Sequence, residues 1–226
     1  MNKSFLKAST LLISLGLISA CASITSNELP PSEGLVQVKD WNIDRVWVKP
    51  GFAPADYSNI MINGRGVEFR TVEDRYTPYN RSSTAYPVSE SQQEKLKQII
   101  IDEFSKELQS VEGYGFSTTP SDDTIALDIK LVDVVSNVPS IKAGRNEVYL
   151  SEVGRATLVL NFTDSVTGEA LVSVIDRRSA ESFDGLGFKE STPANNWAAV
   201  KQLAKHWAKK LRTGLDEMKQ SPSNTK

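Results

Sequence analysis

Two hydrophobic periods alternate along this chain, and their order admits few folds. Ile125, Leu127, Ile129 and Leu131 recur at every second residue, and so do Ala156, Leu158, Leu160 and Phe162. That spacing buries one face of a strand. Leu96, Ile100, Ile101, Phe104, Leu108 and Val111 instead recur at helical spacing, with Ile99 off the stripe. Trp197, Val200, Leu203, Ala204, Trp207, Leu211 and Leu215 do the same near the end of the chain.

The punctuation between these runs fixes their limits. Ser89-x-x-Gln92 and Ser91-x-x-Glu94 both fit a capping box, which predicts a helix over about 90–112, and Gly113 suits a left-handed cap. Thr192 before Pro193 starts the second helix. Asp164-Ser165-Val166-Thr167-Gly168 reads as a tight turn joining strands 155–163 and 169–177 into a hairpin. A strand over 58–70 is interrupted by Asn63-Gly64, a turn or bulge signal. Leu35 to Val38 and Val46 to Val48 are two further short alternations.

From residue 58 the order is strand, helix, strand, strand, strand, helix. A helix between two strands makes a crossover, which favours a parallel, right-handed connection. The last three strands then form an antiparallel meander. Each helix has a single apolar face, so both belong on the same side of the sheet. The expected fold is α+β: a two-layer α/β sandwich, with one mixed, mostly antiparallel sheet and two helices on one face. Phe104, Leu108, Trp207 and Leu211 should bury against Leu127, Ile129, Leu158 and Leu160.

The N-terminus is read as an address. Lys3 and Lys7 precede a short apolar run from Leu11 to Ile18, which leads into Ile18-Ser19-Ala20-Cys21. A charged region, a short apolar core and small residues make a cleavable export signal over 1–20. The last four residues resemble the lipobox of bacterial lipoproteins, in which Cys21 would carry diacylglycerol and then a further acyl chain such as palmitate. An ordinary secretory signal with a chance Cys is the plainer alternative. Ala22 follows where an Asp would resemble an inner-membrane retention signal. The outer membrane is therefore expected, with the domain on its periplasmic face. Residues 22–33, rich in Ser, Asn and Pro, read as an extended tether. A single domain over 34–218 and a frayed tail over 219–226 complete the division.

Composition limits the chemistry. Lys and Arg total 26 and Asp and Glu 28, so no basic excess suggests a nucleic-acid partner. Loss of residues 1–20 removes two cations and no acid, taking the net charge from −2 to −4. One Cys and one His leave no Cys/His metal cluster, disulfide or paired-histidine relay. His206 lies away from the centre of its helix's apolar face and should meet solvent. Asn63-Gly64-Arg65-Gly66, Gly113-Tyr114-Gly115 and Gly185-Leu186-Gly187 lack the rest of a nucleotide fingerprint and read as turns. Asp122-Asp123 and Asp133 read as a turn and a strand edge. Lys201, Lys205, Lys209 and Arg212 form a helix flank, either solvated with Arg212 paired to Asp216 or facing lipid head groups or an acidic partner. Trp197 and Trp207 share the apolar stripe and should be core.

The chain resembles the domain-of-unknown-function 3313 family of bacterial lipoproteins. The lipobox at Cys21, Gly34-Leu35 and Arg45-Val46-Trp47-Val48-Lys49-Pro50-Gly51 carry the resemblance, with Val153-Gly154-Arg155-Ala156-Thr157, the Asp164 to Glu169 turn, Asp176-Arg177-Arg178 and the Trp197 to Leu215 helix. It implies an envelope lipoprotein of α/β build and supplies no catalytic residue.

No catalytic residue, metal or cofactor is therefore expected. The expected function is a non-catalytic binding or envelope-assembly module, anchored to the membrane by lipid at Cys21, with an envelope protein or glycan as partner. A periplasmic hydrolase is the alternative. If strand 58–70 runs upward, connections 71–89, 135–154 and 178–192 all emerge at one end of the sheet, at the carboxyl ends of strands, where α/β sheets place ligands. The expected binding residues there are Arg75, Tyr76, Tyr79, Arg81, Arg145, Tyr149, Phe183 and Phe188, a Tyr- and Arg-rich set of the kind that dominates binding surfaces.

Overall fold

The computed structural model describes residues 33–39, 43–70, 86–111, 113–139, 147–181 and 188–220. The export signal, Cys21 and all but the last residue of the tether lie outside them. The elements in chain order are β1 (Val36–Val38), β2 (Arg45–Val48), β3 (Asn59–Phe69), α1 (Glu90–Leu108), β4 (Gly115–Phe116), β5 (Thr124–Ser136), β6 (Tyr149–Leu150), β7 (Glu152–Asp164), β8 (Ala170–Glu181), β9 (Lys189–Glu190) and α2 (Pro193–Gln220). A short 3-10 turn, Pro54–Asp56, precedes β3.

Seven strands form one open, mixed sheet in the order β1-β2-β8-β7-β5-β3-β4, while β6 and β9 pair as a separate ribbon. β3 runs parallel to β5, with Ile60 beside Ile125 and Ile62 beside Leu127. β5, β7 and β8 form the antiparallel meander. The crossover and the meander thus stand as the sequence predicts. The short alternations near the N-terminus become β1 and β2, added antiparallel at the β8 edge.

α1 begins where the capping box requires. The Ser89 hydroxyl accepts from the Gln92 N–H, and the Gln92 side chain accepts from the Ser89 N–H. The Ser91/Glu94 pair is not the cap. The helix ends at Leu108 rather than 112, because the Glu107 carbonyl accepts from both the Ser110 N–H and the Ser110 hydroxyl, which closes a turn. Gly113, at φ 77°, lies beyond that turn and not at the helix cap. In α2 the Thr192 hydroxyl accepts from the Asn195 N–H at 3.2 Å, as an N-cap should.

Both helices lie on one face of the sheet. All eight residues expected to pack together belong to one buried cluster, from Phe104 and Leu108 through Leu127 and Leu160 to Trp207 and Leu211. Ile99, off the sequence stripe, still packs partly against it. Gly64 shows why β3 carries glycine under a helix: a Cβ there would sit 2.9 Å from Cδ1 of Ile101. The Asn63-Gly64 signal is a bulge inside a continuous strand, with a register shift between Gly64 and Gly66. Two of the four basic residues on the α2 flank tie the helices together. Lys201 meets the buried Glu103 at 3.3 Å, and Arg212 meets Glu107 and Asp216 at 3.6 Å each.

Two tyrosines clamp the lower, tight-turn end. The Tyr57 hydroxyl donates to Asp164 at 3.1 Å, and the Tyr114 hydroxyl donates to the Pro54 carbonyl at 3.1 Å. Burial, first, and the Asp164 carboxylate push Tyr57 up to about 12, and burial alone pushes Tyr114 to about 12. The folded chain holds these protons at a pH where the unfolded chain has released them. Stability should therefore fall as pH rises from about 10 toward 12. A spectrophotometric alkaline titration is expected to show at least two late-ionising tyrosines, one of them lost in Tyr114→Phe. Six tyrosines ionising together near 10 would contradict this packing.

Candidate functional site

The described parts of the three long connections meet at one end of the sheet. Tyr86, at the close of the first, bridges Ser136 at the start of the second. Tyr149 and Leu150 in the second pair with Glu190 and Lys189 in the third. Of the eight expected binding residues, Tyr149 and Phe188 fall here and are 55% and 61% exposed. The Tyr149 hydroxyl donates to Glu147 at 2.8 Å. Arg75, Tyr76, Tyr79, Arg81, Arg145 and Phe183 lie outside the described residues.

Beneath that end, between the sheet and the first turns of both helices, lies a cavity of about 570 Å³. Its origin can be read along β7. The helix-facing side chains run Phe162, Leu160, Leu158, Ala156 and Gly154, shrinking toward the loop end. At the lower end Phe104, Leu108, Phe162, Leu211 and Leu215 fill the space between the layers. At the upper end Gly154, Ala156 and Ala180 leave it open. Leu96 and Ile100 of α1 form one wall, Val200, Leu203 and Trp207 of α2 the other, and Leu131 and Val134 the floor. The volume lies within the ~300–1,000 Å³ common for small-ligand sites.

The polar groups lining this space are mostly committed to one another. Ser89 and Gln92 are joined in the capping box. The Asn196 side chain donates to the Ser191 hydroxyl at 3.0 Å, and the Ser136 hydroxyl accepts from the Val138 N–H at 3.2 Å. The Trp207 indole donates to the buried Asp176 at 2.8 Å. Among the described residues that line the cavity, Arg155 is the one with a charge, and none is Asp, Glu, His, Cys or Lys. Among the described residues no group of three acids, histidines or cysteines could hold a metal ion. His206 lies on the exposed side of α2, with its imidazole pushed down by partial burial and by Arg178 and Lys210. Trp197 differs from the core position expected for it. It is only partly buried, at the rim, with the Lys95 ammonium 4.6 Å from its ring centre.

The helix-free face carries a second cluster. Asp133 is inside β5, not at a strand edge, and sits in a left-handed conformation (φ 53°) at a bulge. Arg70 grips its carboxylate with two bonds of 2.6 Å, and Arg177 approaches to 3.3 Å. The Arg70 hydrogen bonds, foremost, hold the Asp133 carboxyl below the ordinary range, with Arg177 and Arg155 adding to it. Asp tolerates this backbone better than most residues, and here the arginines hold it in place. Trp47, Val159 and Ile175 form a small apolar cluster on the sheet.

The family described as "Protein of unknown function (DUF3313)" has a model that matches residues 29–211, most of the chain. The chain belongs to the DUF3313 family. No curated protein matches it. Solved structures resemble this DUF3313 chain only distantly. A DUF330-family protein from Xanthomonas campestris is 13% identical, with a TM-score of 0.44, over 76% of this chain and 91% of its own. The PelC dodecamer from Paraburkholderia phytofirmans is 9% identical, with a TM-score of 0.37, over 73% and 96%. A minor lipoprotein from Acinetobacter baumannii is 10% identical, with a TM-score of 0.33, over 71% and 92%. At this level nothing about activity or partners passes from them to the DUF3313 chain. Among its described residues no helix is long and apolar enough to cross a membrane.

Proposed function

We propose that this DUF3313 protein is a lipoprotein anchored to the periplasmic face of the bacterial outer membrane through Cys21, and that its α/β domain is a non-catalytic binding module. The lining of the cavity carries this reading: a half-open, largely apolar space, whose described residues include one charged side chain and no acid, His, Cys or Lys, suits binding better than chemistry. The only Cys of the chain follows Ile18-Ser19-Ala20 directly, which supports the anchor. Ala22 at the next position supports sorting to the outer membrane. Two or more acyl chains hold a protein stably, since each buried CH₂ contributes about 0.8 kcal/mol. Tyr149 and Phe188, exposed near the cavity end, would face an envelope protein or glycan partner, together with Arg75, Tyr76, Tyr79, Arg81, Arg145 and Phe183.

Cys21→Ser tests the anchor. The variant should leave the outer-membrane fraction or accumulate as uncleaved precursor. Normal cleavage with retention in that fraction would overturn the anchoring.

A further inference from the structure

We infer that the interlayer cavity is a binding site for one diffusible acyl chain, of a free fatty acid or of a membrane lipid. This names the ligand class of the binding module proposed above.

Three observations select this ligand. The first is the chemistry of the lining. Leu96, Ile100, Leu131, Val134, Val200 and Leu203 offer only apolar contact, and most of the polar side chains described around them are already bonded within the protein, the exception being Arg155, whose buried Nε has no hydrogen-bond partner. A sugar or a peptide would lose its water and find few free partners, which disfavours it strongly. An acyl chain needs no partner. The second is shape. The space is one continuous cavity of about 570 Å³ reaching in from the helix N-termini between two packed layers. A concave apolar surface of this size, half open to solvent, gains free energy when an apolar ligand covers it. The third is supply. From Cys21 to Leu35 the chain can span about 45 Å when extended, so a lipid-anchored domain stays beside a reservoir of acyl chains.

The test uses the full chain in isolated envelopes, where no new lipidation occurs. Two probes are added separately: palmitate, and a phosphatidylcholine, each with a photoreactive group and an alkyne on the acyl chain. After irradiation the adducts are mapped by mass spectrometry. Adducts are expected on the peptides that carry Leu96–Ile100 and Val200–Leu203. Labelling by palmitate alone identifies a fatty-acid site, and labelling by the phospholipid identifies a lipid site. Unlabelled saturated fatty acids should compete, with strength rising up to about fourfold per added methylene until the cavity is full. Val200→Phe and Ala156→Leu, which fill the space, should each cut labelling at least about tenfold while keeping the melting midpoint. If neither probe labels these peptides while other membrane proteins in the same sample are labelled, the acyl site is wrong. Labelling unchanged in both filled variants also overturns it. The peptide beginning at Cys21 is weighed in the same digest, so a failure of the anchor is seen separately from a failure of the cavity.

Discussion

Replacing Trp207 by Ala is expected to lower the free energy of unfolding by about 3–5 kcal/mol, the usual range for deleting a buried Trp. Trp207 is 3% exposed and sits where α2, β8 and the cavity floor meet. Its loss removes a large apolar surface. It also removes the indole N–H bonded to Asp176, itself 1% exposed. Asp176 would keep Arg178 at 2.5 Å and the Asp44 N–H at 3.1 Å, so its charge would stay partly compensated. Trp207→Phe separates the two effects: it keeps most of the packing and should cost only about 1–3 kcal/mol for the stranded acceptor. Urea denaturation of both variants gives the comparison. An unchanged midpoint in Trp207→Ala would mean that Trp207 is not core, and the two-layer packing would fall with it.

Gly154→Ala should be the most damaging of the minimal substitutions. A Cβ at this position would lie 2.4 Å from the Val135 carbonyl oxygen and 3.5 Å from its carbon. The obstruction is backbone on the neighbouring strand, so no side chain can swing away. β5 and β7 would have to part near their register shift, at the edge of the cavity. The expected cost is about 3 kcal/mol, at the upper end of overpacking effects. Hydrogen exchange should quicken first at Val135 to Asn137 and Val153 to Arg155. Equal exchange and equal stability in the Ala variant would show that β5 and β7 do not approach so closely.

Much of this fold is legible in the sequence because the deciding signals are local. Ser89 with Gln92 and Thr192 with Pro193 set two helix starts through bonds made within a few residues. The strict alternation of Ile125 to Leu131 and Ala156 to Phe162 sets which strand faces are buried. With one helix between two strands, the parallel pairing of β3 and β5 follows from chain geometry. The edge strands β1 and β2 are harder, because a three- or four-residue alternation says nothing about its neighbour. Asp133 is harder still. Its left-handed backbone is supported by Arg70, 63 residues away, and by Arg177 from another strand.

The candidate site divides the same way. That one end of the sheet gathers the long connections follows from the topology, and Tyr86, Tyr149 and Glu190 bear it out. The cavity below that end was not among the expectations. Its signal was present in the taper from Phe162 to Gly154. Read as a strand face alone, however, Ala156 and Gly154 are merely smaller core residues. Only when α1 and α2 are placed above them do small residues become an open space, with Trp197 at its rim rather than in the core.

The most direct test of an acylated binding module is the mass of the intact protein, extracted gently from outer membranes and weighed with its non-covalent ligands retained. The expected species is a chain beginning at Cys21 that bears covalent acyl groups and holds one further acyl-chain lipid, the latter absent in Val200→Phe. A chain beginning elsewhere without acyl groups, or an acylated chain with no bound lipid, would contradict it.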